Sequence, residues 1–352
     1  MWHGIYDHDE MVARFREALS RGRLASTFLF VGPAGVGKRA FALKLAQALL
    51  CQERPEAQLE PCERCPACVQ VAAGTHPDLE IVGKPRDKSA IPVETFIGDP
   101  EHRMREGLCH RIGLKPFMGG RKVAIIDDAD FLNPEGANAL LKTLEEPPPR
   151  SVLILIGTSA DKQLPTIRSR SQIIRFRPLA EETVERLLID REIVGDQAEA
   201  RRIASYSGGS MAQAADLADP ELWSARGDLL GALARWPVES FQTAQAMSSF
   251  VDAAGKEAPL RRARSRLMID FAIELFRAMV RRLDGDLPAD HPELAALVEQ
   301  AVKNGWTEPA AVSAVERSLE SLSHIDRNVN QATMIESWLD DLAALATPVA
   351  RA

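Results

Sequence analysis

The chain has 352 residues with a formal net charge of −7, and 45% of its residues are hydrophobic and 26% charged. This length predicts two or three domains of a globular protein, and the acidic balance argues against holding nucleic acid by bulk electrostatics alone. No apolar run is long enough to cross a bilayer, and the first residues lack the basic and apolar regions of a signal peptide. We therefore expect a cytoplasmic protein with no membrane partner, whose five cysteines favour metal binding over disulfides.

A glycine-rich segment lies between a predicted strand and a predicted helix near the N-terminus. Residues 5–24 predict an amphipathic helix, residues 27–30 a strand, and residues 40–50 a helix packed on several sides. Residues 31–39, with the sequence VGPAGVGKR, have the arrangement of a P-loop. The glycines that would let backbone N–H groups point at phosphate oxygens are Gly32, Gly35 and Gly37. Lys38 would then reach the β- and γ-phosphates.

The residue after the P-loop lysine conflicts with the rest of this pattern. A P-loop has Ser or Thr there because the hydroxyl binds Mg²⁺, whereas this chain has Arg39, whose guanidinium cannot coordinate a cation. The sequence therefore predicts the fold of an ATPase with a degenerate ATP site.

Four of the five cysteines fall within 18 residues, with the spacing C-x10-C-x2-C-x2-C. They are Cys51, Cys62, Cys65 and Cys68. Four thiolates suit tetrahedral Zn²⁺, and a site closed by four cysteines is structural rather than catalytic. The alternatives are an iron–sulfur cluster, suggested by the C-x2-C-x2-C run, and four unrelated thiols. Cys109 lies apart and is interpreted as a plain thiol.

Weaker signals follow the cysteines. His76-Pro77-Asp78 precedes a strand predicted at residues 79–82, and residues 93 to about 114 predict a helix. The next apolar strand, residues 122–126, ends in two carboxylates, Asp127 and Asp128.

Carboxylates at the end of a buried parallel strand lie where ligands bind in open α/β sheets. In a P-loop ATPase, Asp127 would hold Mg²⁺ through water and Asp128 would orient the attacking water. Glu is usual at the second position, and the Asp128 side chain is shorter by roughly 1 Å, a misplacement that can cost about 100-fold in rate. The alternative is a solvated strand end.

Two more candidate residues follow a helix at residues 134–146 that ends at three prolines. A strand at residues 152–156 is followed by Thr158, which could sense a γ-phosphate. Arg170, before a strand at residues 173–176, could be an arginine finger that reaches a neighbouring subunit's ATP. The local sequence alone favours a plain surface arginine.

Only helical patterns follow. Residues 179–221 predict a small three-helix unit. Residues 222–352 predict further helices, the longest of them an amphipathic helix at residues 261–283.

In chain order, these motifs resemble the clamp-loader branch of the AAA+ family. The resemblance rests on the P-loop, the cysteines inserted after it, and the runs at residues 76–78, 126–130, 137–148 and 169–170. It implies an α/β AAA+ domain with a parallel sheet and a zinc-binding insert, followed by a helical lid and an all-α collar. We accordingly divide the chain into residues 1–178, with the zinc module at 51–68, then 179–221 and 222–352.

Two departures separate the chain from the ATP-hydrolysing members of that branch. One is Arg39, and the other is Ala212, which follows a Ser-Met pair where the motor subunits carry an ATP-sensing arginine. Ser169-Arg170 does match the family's arginine finger, although Ser171 replaces its usual Cys. The resemblance therefore favours Arg170 as a finger that acts in trans.

The resemblance implies a stator subunit with little or no ATPase activity of its own, within a DNA-directed DNA polymerase holoenzyme. Its implied partners are gamma/tau-type and delta-type subunits in a hetero-pentamer and, through that complex, the sliding clamp and primed DNA. ATP and Mg²⁺ are doubtful cofactors for its own site, whereas structural Zn²⁺ is expected. The alternatives are a gamma-type motor ATPase and a non-enzymatic zinc-module protein that binds nucleic acid.

Overall fold

A computed structural model describes residues 1–85, 87–103, 105–118, 120–285, 292–327 and 329–346. The chain forms two compact units, residues 1–215 and residues 216–352, within those described ranges. The finer division into domain, lid and collar, whose last six residues lie outside the described ranges, stays a prediction.

The first unit is built on a five-stranded sheet in the order β2-β3-β4-β1-β5, with every neighbouring pair parallel. The strands are β1 (Thr27–Val31), β2 (Leu79–Val82), β3 (Lys122–Ile126), β4 (Ser151–Ile156) and β5 (Gln172–Arg175). Every residue of β1, β3 and β4 is buried, as continuous apolar runs predict for strands covered on both faces. The predicted α/β class with a parallel sheet is confirmed.

Helices cover both faces of this sheet. In chain order, the helices between residues 9 and 217 are α1 (Asp9–Ser20), α2 (Lys38–Leu50), α3 (Pro66–Ala73), α4 (Glu94–Ile97), α5 (Gly107–Gly113), α6 (Pro134–Glu145), α7 (Pro165–Arg168), α8 (Glu181–Asp190), α9 (Gln197–Tyr206) and α10 (Met211–Leu217). Short 3₁₀ turns lie at Glu56–Gln58 and Ala129–Phe131.

The two faces of the sheet have different cores. On one face α1 and α2 contribute to a cluster of phenylalanine rings with centroids 5.0 to 6.2 Å apart, formed by Phe15, Phe28, Phe30, Phe41 and Phe176. On the other face α4, α5 and α6 bury Phe96, Leu108 and Leu140 against the strands. This packing fixes β1 and α2, and therefore the loop between them.

The single helix predicted from residue 93 to about 114 is wrong, because the chain forms the two short helices α4 and α5 there. Gly98 ends α4 with φ +80°, and Gly107 begins α5 with φ +82°. A Cβ on Gly107 would come within 2.5 Å of the Gly98 nitrogen and 2.6 Å of the Phe96 carbonyl. The two glycines therefore let the start of α5 approach the end of α4 more closely than residues with side chains could. A continuous helix would keep these two segments apart.

The second unit is helical throughout its described residues. Its helices are α11 (Pro220–Leu233), α12 (Ser240–Ala253), α13 (Ala258–Leu283), α14 (Pro292–Lys303), α15 (Glu308–Asp326) and α16 (Gln331–Leu345). The long helix predicted at residues 261–283 is thus confirmed and begins three residues earlier. Trp338 is fully buried, and its indole N–H donates to the hydroxyl of Ser318 at 3.0 Å. None of the helices in the described ranges has the length and apolarity that a membrane-spanning segment needs.

Candidate nucleotide site and metal centre

The P-loop connects β1 to α2 at the carboxyl edge of the sheet, where β3 and β4 also end. Its glycines all have positive φ angles, of 146° at Gly32, 73° at Gly35 and 95° at Gly37. A Cβ on Gly32 would lie 2.4 Å from the carbonyl oxygen of Phe176, and one on Gly35 would lie 2.5 Å from the backbone nitrogen of Ala212. At Gly32 and Gly35 a side chain is therefore excluded by neighbouring backbone as well as by conformation, whereas at Gly37 conformation alone disfavours one.

Lys38 is folded back onto its own loop. Its ammonium donates to the carbonyl oxygens of Gly32 at 2.6 Å and Pro33 at 2.5 Å, and the residue is only 7% exposed. Burial lowers the pKa of Lys38, and the charges of Asp130 and Asp127 oppose that shift. A bound phosphate would have to replace these two carbonyl contacts before Lys38 could reach it.

Arg39 lies against the carboxylate that was predicted to hold Mg²⁺. Its Nε is 3.3 Å from Oδ2 of Asp127. The Asp127 side chain is 24% exposed, whereas that of Arg39 is 60% exposed. Burial raises the pKa of Asp127, and the neighbouring charge of Asp128 raises it further, while Arg39 and Lys38 lower it. A guanidinium therefore faces Asp127 where the family pattern would have a hydroxyl and a cation.

Asp128 also lines this cleft, in a left-handed backbone conformation with φ 56°. Its backbone N–H donates to Oδ1 of Asp127 at 3.1 Å. The two carboxylates are thus brought together at the end of β3, as the sequence predicts, and one of them accepts a bond from the backbone of the other.

Thr158 is held by an aspartate that sequence reasoning did not single out. Its hydroxyl and its backbone N–H both donate to Oδ2 of Asp130, at 2.5 and 2.8 Å. Gln163 donates to the other oxygen of Asp130 at 2.7 Å, and the carbonyl of Thr158 accepts from the Gly32 N–H at 3.1 Å. The signal available in the sequence was the third acidic residue in the run at 127–130.

The predicted nucleotide-site residues, apart from Gly32, line one cleft of about 520 Å³ within the first unit. Beyond the loop much of its wall is apolar, and the polar side chains of His8 and Arg191 also line it. The apolar residues are Ile5, Tyr6, Leu179, Leu187 and Met211. The backbone N–H of Met211 donates to the Gly35 carbonyl at 3.1 Å, so the turn that begins α10 lies directly on the P-loop. A charged end beside an apolar end suits a phosphate-bearing ligand with a flat base.

The four clustered cysteines come together after α2. All four sulfurs lie within 4.8 Å of one another, and those of Cys62 and Cys68 are 3.8 Å apart. A tetrahedral site with metal–sulfur bonds of about 2.3 Å separates its sulfurs by about 3.8 Å. The backbone N–H groups of Cys65 and Cys68 point at the sulfurs of Cys62 and Cys65, at 3.3 and 3.4 Å. The donor set therefore fits a tetrahedral metal ion such as zinc.

Cys109 lies outside this cluster, half-buried against the carbonyl of Ala139. Burial raises the pKa of its thiol. The interpretation of Cys109 as a plain thiol remains consistent with its surroundings.

Arg170 follows α7 and is not among the described residues that line the cleft. Its guanidinium donates from Nη2 to Oε1 of Glu145 at 2.6 Å and from Nη1 to the Thr166 carbonyl at 3.0 Å. The structure therefore separates Arg170 from the chain's own candidate nucleotide site.

Asp78 is a second residue whose role the sequence did not disclose. It is 1% exposed and accepts the backbone N–H groups of Phe117 and Met118 at 2.7 and 2.9 Å. Lys122 lies 3.7 Å from the same carboxylate. Asp78 therefore ties the segment before β3 to the start of β2.

Comparison with known proteins finds similarity to subunits of DNA polymerase III. Residues 7–180 match the family described as DNA polymerase III, delta subunit. The chain is 38% identical over 191 residues to DNA polymerase III subunit delta' of Pseudomonas aeruginosa, which covers 54% of this chain and 55% of that protein. It is 31% identical over 228 residues to subunit delta' of Escherichia coli, which covers 65% and 64% of the two chains.

Relatives named as gamma/tau subunits are also similar. The chain is 32% identical over 211 residues to DNA polymerase III subunit gamma/tau of Mycobacterium tuberculosis, covering 58% of this chain and 34% of that protein. These matches confirm the predicted resemblance to clamp-loader subunits, including the delta' type. The chain spans about half the length of the Pseudomonas relative.

Proposed function

We propose that the chain is a clamp-loader subunit of the delta' type, because residues 7–180 match the family described as DNA polymerase III, delta subunit. In this role it is a stator within a hetero-pentamer that also contains gamma/tau-type and delta-type subunits. The complex uses ATP to load the sliding clamp onto primed DNA. The chain supplies Arg170 to the ATP site of an adjacent motor subunit.

The observation that carries this proposal is the contact between Arg39 Nε and Asp127 Oδ2 at 3.3 Å. A motor subunit needs a hydroxyl at the first position and a free carboxylate at the second to hold Mg²⁺. Here Arg39 replaces the hydroxyl, and the same side chain pairs with the carboxylate of Asp127. This contact disfavours ATP hydrolysis by the chain alone. The P-loop therefore serves as a structural element, and its cleft is a degenerate ATP site formed by Gly32, Gly35, Gly37, Lys38, Arg39, Asp127, Asp128 and Thr158.

The metal centre has a structural role in the same proposal. Zn²⁺ would be held by the four clustered cysteines, which leave no open coordination position for chemistry. Zinc bound there stabilises the insert between α2 and α3 because the ligands come from both sides of the loop at residues 52–61.

The direct test uses the full chain assembled with its gamma-type and delta-type partner subunits on primed DNA. Arg170→Ala should fold and assemble normally and should slow ATP hydrolysis at the neighbouring site by about 10³-fold or more, the usual worth of an arginine finger. Arg168→Ala is the matched control, since Arg168 lies two residues earlier and pairs with Asp161 at 3.2 Å. Lys38→Ala should leave loading almost unchanged. Unaltered turnover in the assembled Arg170→Ala complex would remove the finger role.

A further inference from the structure

Glu145 occupies an unfavourable position for a carboxylate. It is the last residue of α6, which ends because Pro147, Pro148 and Pro149 cannot continue the helix. The C-terminus of a helix carries a partial negative charge, which repels an acidic side chain placed there. A carboxylate at this point is stabilised when a cation lies beside it.

Arg170 supplies that cation from a different element. Its Nη2 lies 2.6 Å from Oε1 of Glu145, while its Nη1 donates to the Thr166 carbonyl at 3.0 Å and to the Ser169 hydroxyl at 3.3 Å. The Arg170 side chain is 33% exposed and that of Glu145 is 50% exposed. The guanidinium is thus held from two directions at the surface, by α6 on one side and on the other by α7 and the residue that follows it.

The other arginine of this segment, Arg168, is held differently. Arg168 pairs with Asp161 at 3.2 Å, and that carboxylate is 86% exposed. Such an exposed pair contributes little to the order of either side chain. Among the described residues, Arg168 therefore has no second anchor from a separate helix like the one that Glu145 gives Arg170.

We propose that Glu145 is the positioning residue of Arg170 and holds its guanidinium ready for the phosphates of a neighbouring subunit's nucleotide. This inference rests on the proposed finger role of Arg170. An arginine loses rotamer freedom when it is ordered, and a side chain that is ordered beforehand does not lose that freedom at the transition state. Within the described residues the three contacts use three of the five N–H donors of an arginine, so donors remain for phosphate oxygens.

The experiment uses the assembled complex and compares four variants of this chain. Three carry a single substitution, Glu145→Ala, Glu145→Gln or Arg170→Ala, and the fourth combines Glu145→Ala with Arg170→Ala. Glu145→Ala should lower kcat of DNA-stimulated hydrolysis by about tenfold, since a misplacement of about 1 Å can cost up to 100-fold. KM should stay within about twofold, because Glu145 does not contact the nucleotide. Glu145→Gln keeps an acceptor without its charge and should fall between the native chain and Glu145→Ala.

Glu146→Ala is the matched control, because Glu146 is the adjacent exposed carboxylate at the end of α6. Glu146→Ala should leave kcat unchanged. The thermal unfolding temperatures of Glu145→Ala and Glu146→Ala should both match that of the native chain. The combined variant should equal Arg170→Ala, because a positioning residue has no effect once the positioned group is gone.

Four outcomes would overturn the inference. Unchanged turnover with Glu145→Ala would mean that the Glu145–Arg170 pair does not contribute to hydrolysis. Raised turnover would mean that Glu145 holds Arg170 away from the neighbouring nucleotide. Additive losses in the combined variant would mean that Glu145 acts elsewhere. An Arg170→Ala complex with native turnover would remove the proposed finger itself, and with it any group for Glu145 to position, whereas a loss in Arg170→Ala alone would leave the stator proposal standing.

Discussion

Arg39 and Asp127 form an ion pair across the mouth of the candidate nucleotide site, with Nε 3.3 Å from Oδ2. Arg39 is the second residue of α2, and Asp127 follows the last residue of β3. In a P-loop ATPase a hydroxyl and a carboxylate at these two positions share a magnesium ion. In this chain the guanidinium of Arg39 stands in place of the hydroxyl and lies against the carboxylate of Asp127.

Replacement of Arg39 by threonine should restore the missing ligand and free Asp127. We expect Arg39→Thr to bind ATP at least about tenfold more tightly with Mg²⁺ than with a chelator, since the hydroxyl and Asp127 can then both reach the ion. The native chain should show no such dependence on Mg²⁺. Isothermal titration calorimetry with and without chelator measures the difference.

Hydrolysis by Arg39→Thr should remain slow, because Asp128 is still a methylene shorter than the usual glutamate. The control is Arg14→Thr, an exposed arginine on α1 that pairs with Glu10. Mg²⁺-dependent binding and rapid turnover by the native chain would contradict the prediction and favour the motor alternative.

The strands and the two candidate sites could be predicted because their signals are local. A buried parallel strand requires a continuous apolar run, and β1, β3 and β4 each have one. The P-loop and the cysteine cluster depend on short spacings, so geometry follows from sequence almost directly. The same is true of Asp127 and Asp128, whose location is fixed by the end of β3.

The features that escaped prediction depend on contacts between distant residues. The break between α4 and α5 requires the close approach of Gly98 and Gly107, which no helical periodicity reveals. The partner of Thr158 is 28 residues away, and the partner of Arg170 is 25 residues away on another helix. Side-chain partners at such separations are set by packing, so the sequence offered candidates without their neighbours.

Loss of one clustered cysteine should release the metal and destabilise the first unit. Cys65 is 3% exposed and precedes the first residue of α3. Its replacement in Cys65→Ser leaves only the other three thiols to hold the metal ion. Structural zinc can contribute on the order of 10 kcal/mol, so we expect loss of stoichiometric zinc and a markedly lower unfolding temperature. Metal analysis and thermal unfolding, with and without chelator, provide the measurement.

Cys109→Ser is the control for this experiment, because it removes a half-buried thiol outside the cluster. It should keep one zinc per chain and lose little stability. A Cys65→Ser chain that unfolds at the native temperature without zinc would show that the site has no structural role.

Asp270, on α13, gives the second unit a pH-dependent stability. Burial raises its pKa from 3.8 to about 6, although Arg266 and Arg277 partly offset this. Below about pH 4 the carboxyl is protonated in folded and unfolded chains alike. As the pH rises from about 4 to about 6 the unfolded chain has released the proton while the folded chain still holds it, so folding becomes less favourable by up to about 3 kcal/mol and changes no further above that range. Asp270→Asn should therefore be more stable than the native chain by about 1–3 kcal/mol at pH 7.5, with the difference vanishing near pH 4. Denaturant unfolding at both pH values measures the difference in stability. Asp228→Asn is the control, because Asp228 is exposed. An Asp270→Asn variant with native or lower stability at pH 7.5 would contradict the prediction.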